Sequence, residues 1–201
     1  ESVQRRILMT NELRKALDTD IQVHYQPIAD AISGSILGFE ALARWQHAGQ
    51  WIPPGEFIQL AEDAGLIHKL GDSVMRAACK AIATHNTAHG SDLTVSVNVS
   101  PHQLRQEHFS AILAKILTDT PCRPEWLILE FTESALLRDD RASLKILDDL
   151  KTLGLSIAID DFGTGYAALS YLQKFPLDFV KIDQSFVDRI DGNSQDIAIV
   201  D

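Results

Sequence analysis

Cysteine is nearly absent from this 201-residue chain. Cys79 and Cys122 stand far apart without CxxC spacing, which argues against a disulfide framework and a cysteine-ligated zinc site. Two buried free thiols in a reducing, cytoplasmic setting are the expectation. No apolar run approaches the roughly 20 residues that span a bilayer, and the first residues lack a signal-peptide core, so no direct membrane contact is expected. Positive charge is also short. Lys and Arg number 18 against 28 Asp and Glu, a net charge of -10. That balance argues against a nucleic acid duplex or an anionic membrane as partner, though not against an anionic small ligand reached through a cation. No GxGxxG or GxxxxGK[ST] loop follows the first strands, and there is no internal repeat or low-complexity segment. What remains, 45% hydrophobic and 23% charged, is an ordinary globular composition with enough chain for one sizeable core.

Periodicity divides the chain into alternating elements. Ile7, Leu8, Leu13, Ala16 and Leu17 recur among charges and predict an amphipathic helix over residues 1–18. Strands follow at 21–28 and 36–45 about a turn at Ser33-Gly34-Ser35. Pro53-Pro54-Gly55 opens a helix over 56–63, and another covers about 72–84. Next come a strand at 93–99, a helix at 109–117, a strand at 126–131, and a helix at 141–153 stopped by Gly154. A strand at 155–161, a short helical piece at 167–173, a strand at 179–182 and the start of a helix at 196–200 complete the pattern. Strands alternating with helices predict βαβ units and a parallel sheet. About six strands are counted by pattern, whereas a (β/α)8 barrel takes about 250 residues. The C-terminal βα units are therefore expected to be missing, as in a fragment of a larger polypeptide.

The stretch LSIAIDDFGTG, residues 155–165, carries the first chemical signal. It is apolar on both strand faces, as in a parallel strand buried by helices, and it delivers Asp160 to the strand end with Asp161 beyond it. Glu40, Asn98, Glu130 and Lys181 each stand near the C-terminal end of a different strand. In a TIM barrel such ends converge on one mouth. One such residue is most simply a cap or an ion-pair partner; several carboxylates together need neutralisation, and Lys181 alone supplies too little. An all-oxygen cluster suits Mg²⁺ or Mn²⁺ rather than zinc. Adjacent aspartates fit two ions, Asp160 bridging and Asp161 reaching the second, an arrangement that recurs in phosphoester hydrolysis. A Schiff-base role for Lys181 needs a neutral amine, and neighbouring carboxylates would keep it charged. Gly163 and Gly165 make a tight loop whose backbone could lie near a substrate. His85 and His89 read as solvated helix-end residues, and Trp45, Trp51 and Trp126 as packing residues.

Seven ordered segments resemble one family: YQPIAD (25–30), GFEALARW (38–45), PPGEFIQLAEDAGLI (53–67), SVNVSPHQL (96–104), LEFTES (129–134), IDDFGTGYAALSYL (159–172) and VKIDQSFV (180–187). The chain resembles the EAL domain of bacterial cyclic-di-GMP phosphodiesterases over essentially its whole length. The resemblance implies an α/β TIM-like (β/α)8 barrel whose first strand is antiparallel. It implies hydrolysis of cyclic-di-GMP to linear pGpG with Mg²⁺ or Mn²⁺. By the same resemblance Glu40, Asn98, Glu130 and Asp160 match ligands of the first metal, and Asp160 with Asp161 those of the second. Lys181 matches the lysine at the catalytic water, Arg44 a substrate-phosphate contact, and Glu133 the glutamate that steadies the loop after Asp161. That loop, residues 161–169, is linked in the family to dimerisation and control, so a homodimer is expected; it reads GYAAL where the family often has GYSSL.

A family glutamate in an EGVE-type motif and a glutamine in a QGY-type motif have no counterpart before Asp201. The expected organisation is a linker helix over 1–18, resembling the one that follows an upstream GGDEF domain, and an EAL domain over 19–201 that is C-terminally incomplete. Little turnover is expected from these residues alone. The alternative is a non-catalytic cyclic-di-GMP receptor or regulatory module. Receptors of that kind lose metal ligands, and none is lost through Lys181.

Overall fold

Helix α1 (Val3–Ala16) leads into a hairpin of β1 (Ile21–Ala29) and β2 (Ile36–His47) in this computed structural model, which describes residues 3–137, 140–163 and 174–187. The hairpin turn is built by Asp30, whose Oδ1 accepts from the Ser33 N–H at 2.6 Å and the Ile32 N–H at 3.1 Å. A third short strand, β3 (Gln50–Ile52), folds back on β2 through Ala48 and Gly49 at φ 48° and 78°. Two successive positive φ values match the strand twist. Helices α2 (Pro54–Asp63) and α3 (Ile67–His89) follow, then β4 (Thr94–Asn98), α4 (Pro101–Leu104) and α5 (Phe109–Asp119). The chain continues with β5 (Leu127–Thr132), α6 (Glu133–Leu137), α7 (Asp140–Thr152), β6 (Ser156–Phe162), β7 (Phe179–Ile182) and α8 (Gln184–Val187).

The sheet order is β1-β2-β4-β5-β6-β7, with β3 paired to β2. Pairing of β1 with β2 is antiparallel, and every pairing from β2–β4 onward is parallel. Register and alternation together sort the side chains into two faces. One face carries Ala41, Trp45, Val95, Val97, Leu127, Leu129, Phe131, Ile157 and Ile159, all buried with Phe57, Val74, Leu113 and Leu147 of the surrounding helices. Full burial of each large side chain here contributes about 1.5–3 kcal/mol. The other face holds Glu40 beside Ser96, Asn98 beside Glu130, and Thr132 beside Asp160. The apolar core thus lies outside the sheet and the polar residues inside it.

Helix α1 packs on α2, with Leu13 fully buried and Met9 and Ala16 nearly so. Arg6 pairs with Asp63, and Lys69 Nζ lies 2.6 Å from Asp18 beyond the end of α1.

Several elements differ from the sequence expectation. The helix expected at 72–84 runs Ile67–His89, because Gly71, a helix breaker by propensity, sits inside it for a packing reason given below. β3 and the short helices α4 and α6 carry no periodic signal long enough to read. His85 and His89 stack at 4.4 Å, with His85 also against Phe39. The pieces expected at 167–173 and 196–200 lie outside the described residues. Among the described residues no helix is long and apolar enough to cross a membrane.

Candidate active site

Five strands, β2, β4, β5, β6 and β7, deliver polar side chains to one patch. Asn98 is the last residue of β4, and the next residue, Val99, donates its N–H to the Glu130 carbonyl at 2.9 Å, locking β4 to β5. Lys181 projects from β7 into the group. Its Nζ lies 2.6 Å from Glu130 Oε2, 3.0 Å from Glu40 Oε2 and 3.5 Å from Asp160 Oδ1. Asn98 Nδ2 donates to the other Glu40 oxygen at 2.8 Å.

Burial sets the electrostatics. Glu130 is 2% exposed, and that burial pushes its carboxyl above the ordinary glutamate value, against the opposing pull of Lys181. For Lys181 burial works downward, but the hydrogen bond and charge of Glu130, then Asp160 and Glu40, outweigh it, and the ammonium is held above the usual lysine value. Lys181 is a fixed cation, which excludes the neutral amine that Schiff-base chemistry needs.

The two aspartates owe their placement to a bulge. Ile159 pairs with Val180 and Phe162 with Ile182, so Asp160 and Asp161 together oppose the single residue Lys181. Asp161 takes the extra position at φ 54°, a left-handed conformation that Asp tolerates better than most residues. Simple alternation would send the two carboxylates to opposite faces; a bulge re-aims one of them. Burial, then the Asp160 and Asp183 charges, raise the Asp161 carboxyl above its ordinary value.

The remaining predicted residues sit around this patch. Arg44 lies on the same face of β2 as Glu40, four residues further toward the mouth, and lines a cavity of about 300 Å³ with Glu62, Asn98, Ser100 and Glu130. Glu133 is 3% exposed, and its Oε2 accepts the Gly163 N–H at 3.4 Å. At φ 97° Gly163 leaves no room for a side chain, since a Cβ there would lie 2.8 Å from Phe186 Cε2. Gly165 and the rest of the expected control loop lie outside the described residues.

Among the described residues no group of three or more His, Cys, Asp or Glu is arranged as a metal site. As expected from the sequence, Lys181 alone supplies too little charge to neutralise the cluster. Its ammonium sits where three carboxylates converge and offsets one of their three negative charges. The donor chemistry still fits a hard divalent cation, because Glu40, Glu130 and Asp160 direct oxygens to one point. The sequence reading also missed Ser96, 1% exposed beside Glu40 on the inner face, although its spacing of two from Asn98 encodes that placement.

The chain is similar to known proteins over nearly all of its length. An uncharacterized signaling protein of Caulobacter vibrioides is 44% identical over 202 residues, covering 100% of this chain and 24% of its own length. The bifunctional diguanylate cyclase/cyclic di-GMP phosphodiesterase MucR of Pseudomonas aeruginosa is 38% identical over 99% of this chain and 29% of its own length. The solved structure of PaMucR phosphodiesterase in a c-di-GMP complex matches at TM-score 0.90 and 39% identity, over 96% of this chain and 79% of that one. The chain spans about a quarter of the length of the curated relatives it matches. Its fold is accordingly the α/β TIM-like one, with the antiparallel first strand. The EAL domain model matches residues 10–201, and the chain belongs to the EAL domain family.

Proposed function

We propose that this domain hydrolyses cyclic-di-GMP to linear pGpG with Mg²⁺ or Mn²⁺ in a two-metal site. Family membership implies dependence on a divalent metal. The observation that carries the proposal is the convergence of Glu40, Glu130 and Asp160 within 3.5 Å of one cationic point. It stands in a fold matching a phosphodiesterase–c-di-GMP complex at TM-score 0.90.

Glu40, Asn98, Glu130 and Asp160 would hold the first ion and Asp160 and Asp161 would help hold the second, with Asn98 offering its amide oxygen. When bound, the ions polarise a phosphate oxygen and lower the pKa of the attacking water. The chain's own groups do the rest. Lys181, always protonated, releases the carboxylates and donates a hydrogen bond to the water oxygen. Arg44 offers its planar guanidinium to a substrate phosphate at the rim. Glu133 holds the Gly163 N–H and so fixes the first residues of the loop that, with Gly165, borders the substrate. We place the domain in the cytoplasm, as a homodimer, behind a GGDEF or sensory domain; the greater length of its relatives supports the last point.

The second reading, a non-catalytic receptor, would bind cyclic-di-GMP at these residues without forming product. A single-turnover assay separates the two. Excess protein is incubated with cyclic-di-GMP and Mn²⁺, and the nucleotides are resolved by chromatography. Slow, metal-dependent pGpG formation that is lost in Glu40→Ala is expected. Tight binding with no product at long times would establish the receptor instead.

A further inference from the structure

Asn98 is an exposed side chain on the final residue of a strand. Its aim therefore depends on the backbone that follows it. Two residues on, Ser100 is gripped from two elements, α2 and α4. Its hydroxyl donates to Glu62 Oε1 of α2 at 2.6 Å. The same oxygen accepts the His102 N–H at 3.1 Å, and the Ser100 N–H donates to Gln103 Oε1 at 3.1 Å, so α4 closes a reciprocal cap on it. Gln103 is 4% exposed and is seated against α3 at Gly71, where a Cβ would lie 2.6 Å from Gln103 Cδ. That seat is the packing reason for a glycine inside α3.

Glu62 is otherwise an unfavourable residue for its place. It is half-buried in the last turn of α2, where the helix dipole disfavours a carboxylate. A side chain kept at such a position for stability alone would gain from being neutral. Its hydrogen bond reaches across to the segment that carries Asn98.

We propose that Glu62 is a positioning residue for the active site: by holding Ser100 it sets where Asn98 stands over Glu40 and Glu130. The inference rests on the metal-site reading above, since it concerns how well Asn98 is offered as a ligand. Glu62 and Ser100 then act as one unit, and Gln103 on Gly71 supplies the opposite jaw.

The test is Mn²⁺ affinity by calorimetry, with amide hydrogen exchange of residues 98–104 read in parallel, on the chain and on Glu62→Gln, Ser100→Ala, the double variant, Ser100→Thr and Asn98→Ala. Each of Glu62→Gln and Ser100→Ala is expected to weaken Mn²⁺ binding roughly tenfold, the lower end for residues that support a ligand. Exchange at residues 98–104 should accelerate. The double variant should be no weaker than either single one, and Ser100→Thr, which keeps the hydroxyl, should bind as the parent does. Additive losses, or unchanged Mn²⁺ affinity in both single variants while Asn98→Ala loses binding, would overturn the positioning role alone. Unchanged affinity in Asn98→Ala would overturn the metal-site reading and this inference with it.

Discussion

Replacing Lys181 by Met removes the one cation among the described residues that faces Glu130, Glu40 and Asp160, at 2.6, 3.0 and 3.5 Å. Breaking a fully buried ion pair by removing one partner costs about 3–5 kcal/mol. The Lys181 side chain is 31% exposed, and Glu40 and Asp160 keep 19% and 22%, so water recovers part of that cost. A loss of about 2–3 kcal/mol in metal-free buffer at neutral pH follows. For a domain of this size that is a fall in Tm of about 5–10 °C. The pH dependence gives a sharper signature. Lys181 has a raised pKa in the fold, so its contribution is complete below the unfolded value of 10.5 and is lost only as pH rises through the folded one. Between pH 5 and 9 it therefore stays constant in the parent protein. In the variant the main opposition to the burial of Glu130, whose carboxyl already lies above 4.5, is gone and only the smaller effect of Ser96 remains. An acid with a raised folded pKa binds its proton more tightly when folded, so it favours the fold as pH falls. The gap in Tm between parent and Lys181→Met should shrink from pH 7 to pH 5, as measured by circular dichroism in EDTA. A variant as stable as the parent at pH 7, or a gap that widens on acidification, would refute the assignment of Lys181 as the counterion.

Glu130→Gln removes the buried charge together with its partner's attraction, so metal-free stability should change by no more than about 1 kcal/mol, while Mn²⁺ affinity measured by calorimetry should fall at least tenfold, the scale of lost ligation. A strong loss of stability with intact Mn²⁺ binding would contradict both halves. Gly38→Ala places a Cβ 2.5 Å from the Thr94 carbonyl oxygen across the β2–β4 ladder; urea unfolding should show a loss of about 1–3 kcal/mol, and an unchanged midpoint would contradict that close approach. Leu13→Ala cuts a fully buried side chain of α1 and should cost about 2–5 kcal/mol in the same assay. A negligible cost would show that α1 is a detachable linker.

The strand ends were legible because the sequence marks them twice. Each apolar run reports a strand, and the polar residue that interrupts or ends it reports a site, as at Leu129-Glu130 and Val97-Asn98. The resemblance implies the antiparallel first strand, and the loop of residues 30–35 contains the same information, being too short for a parallel crossover. Three features escaped, two of them because they depend on partners distant in sequence. The extent of α3 through Gly71 depends on Gln103, 32 positions away. β3 forms over a turn whose first positive-φ residue is Ala48, where pattern rules look for Asn or Asp. The bulge at Asp160-Asp161 exists only as a register shift against β7. Adjacent aspartates reveal like charge in the sequence but not the extra residue that places both opposite Lys181. The role of Lys181 as counterion likewise needed distances, since composition counts charges without saying which carboxylates share one.

Crystals of the chain soaked in Mn²⁺ and measured at the manganese absorption edge would locate the ion directly. The result predicted here is an anomalous peak enclosed by Glu40, Asn98, Glu130 and Asp160, with the Lys181 ammonium displaced from their oxygens and a second peak beside Asp161. Lys181 still bonded to Glu40 and Glu130 at saturating Mn²⁺, with no peak between the strand ends, would contradict it.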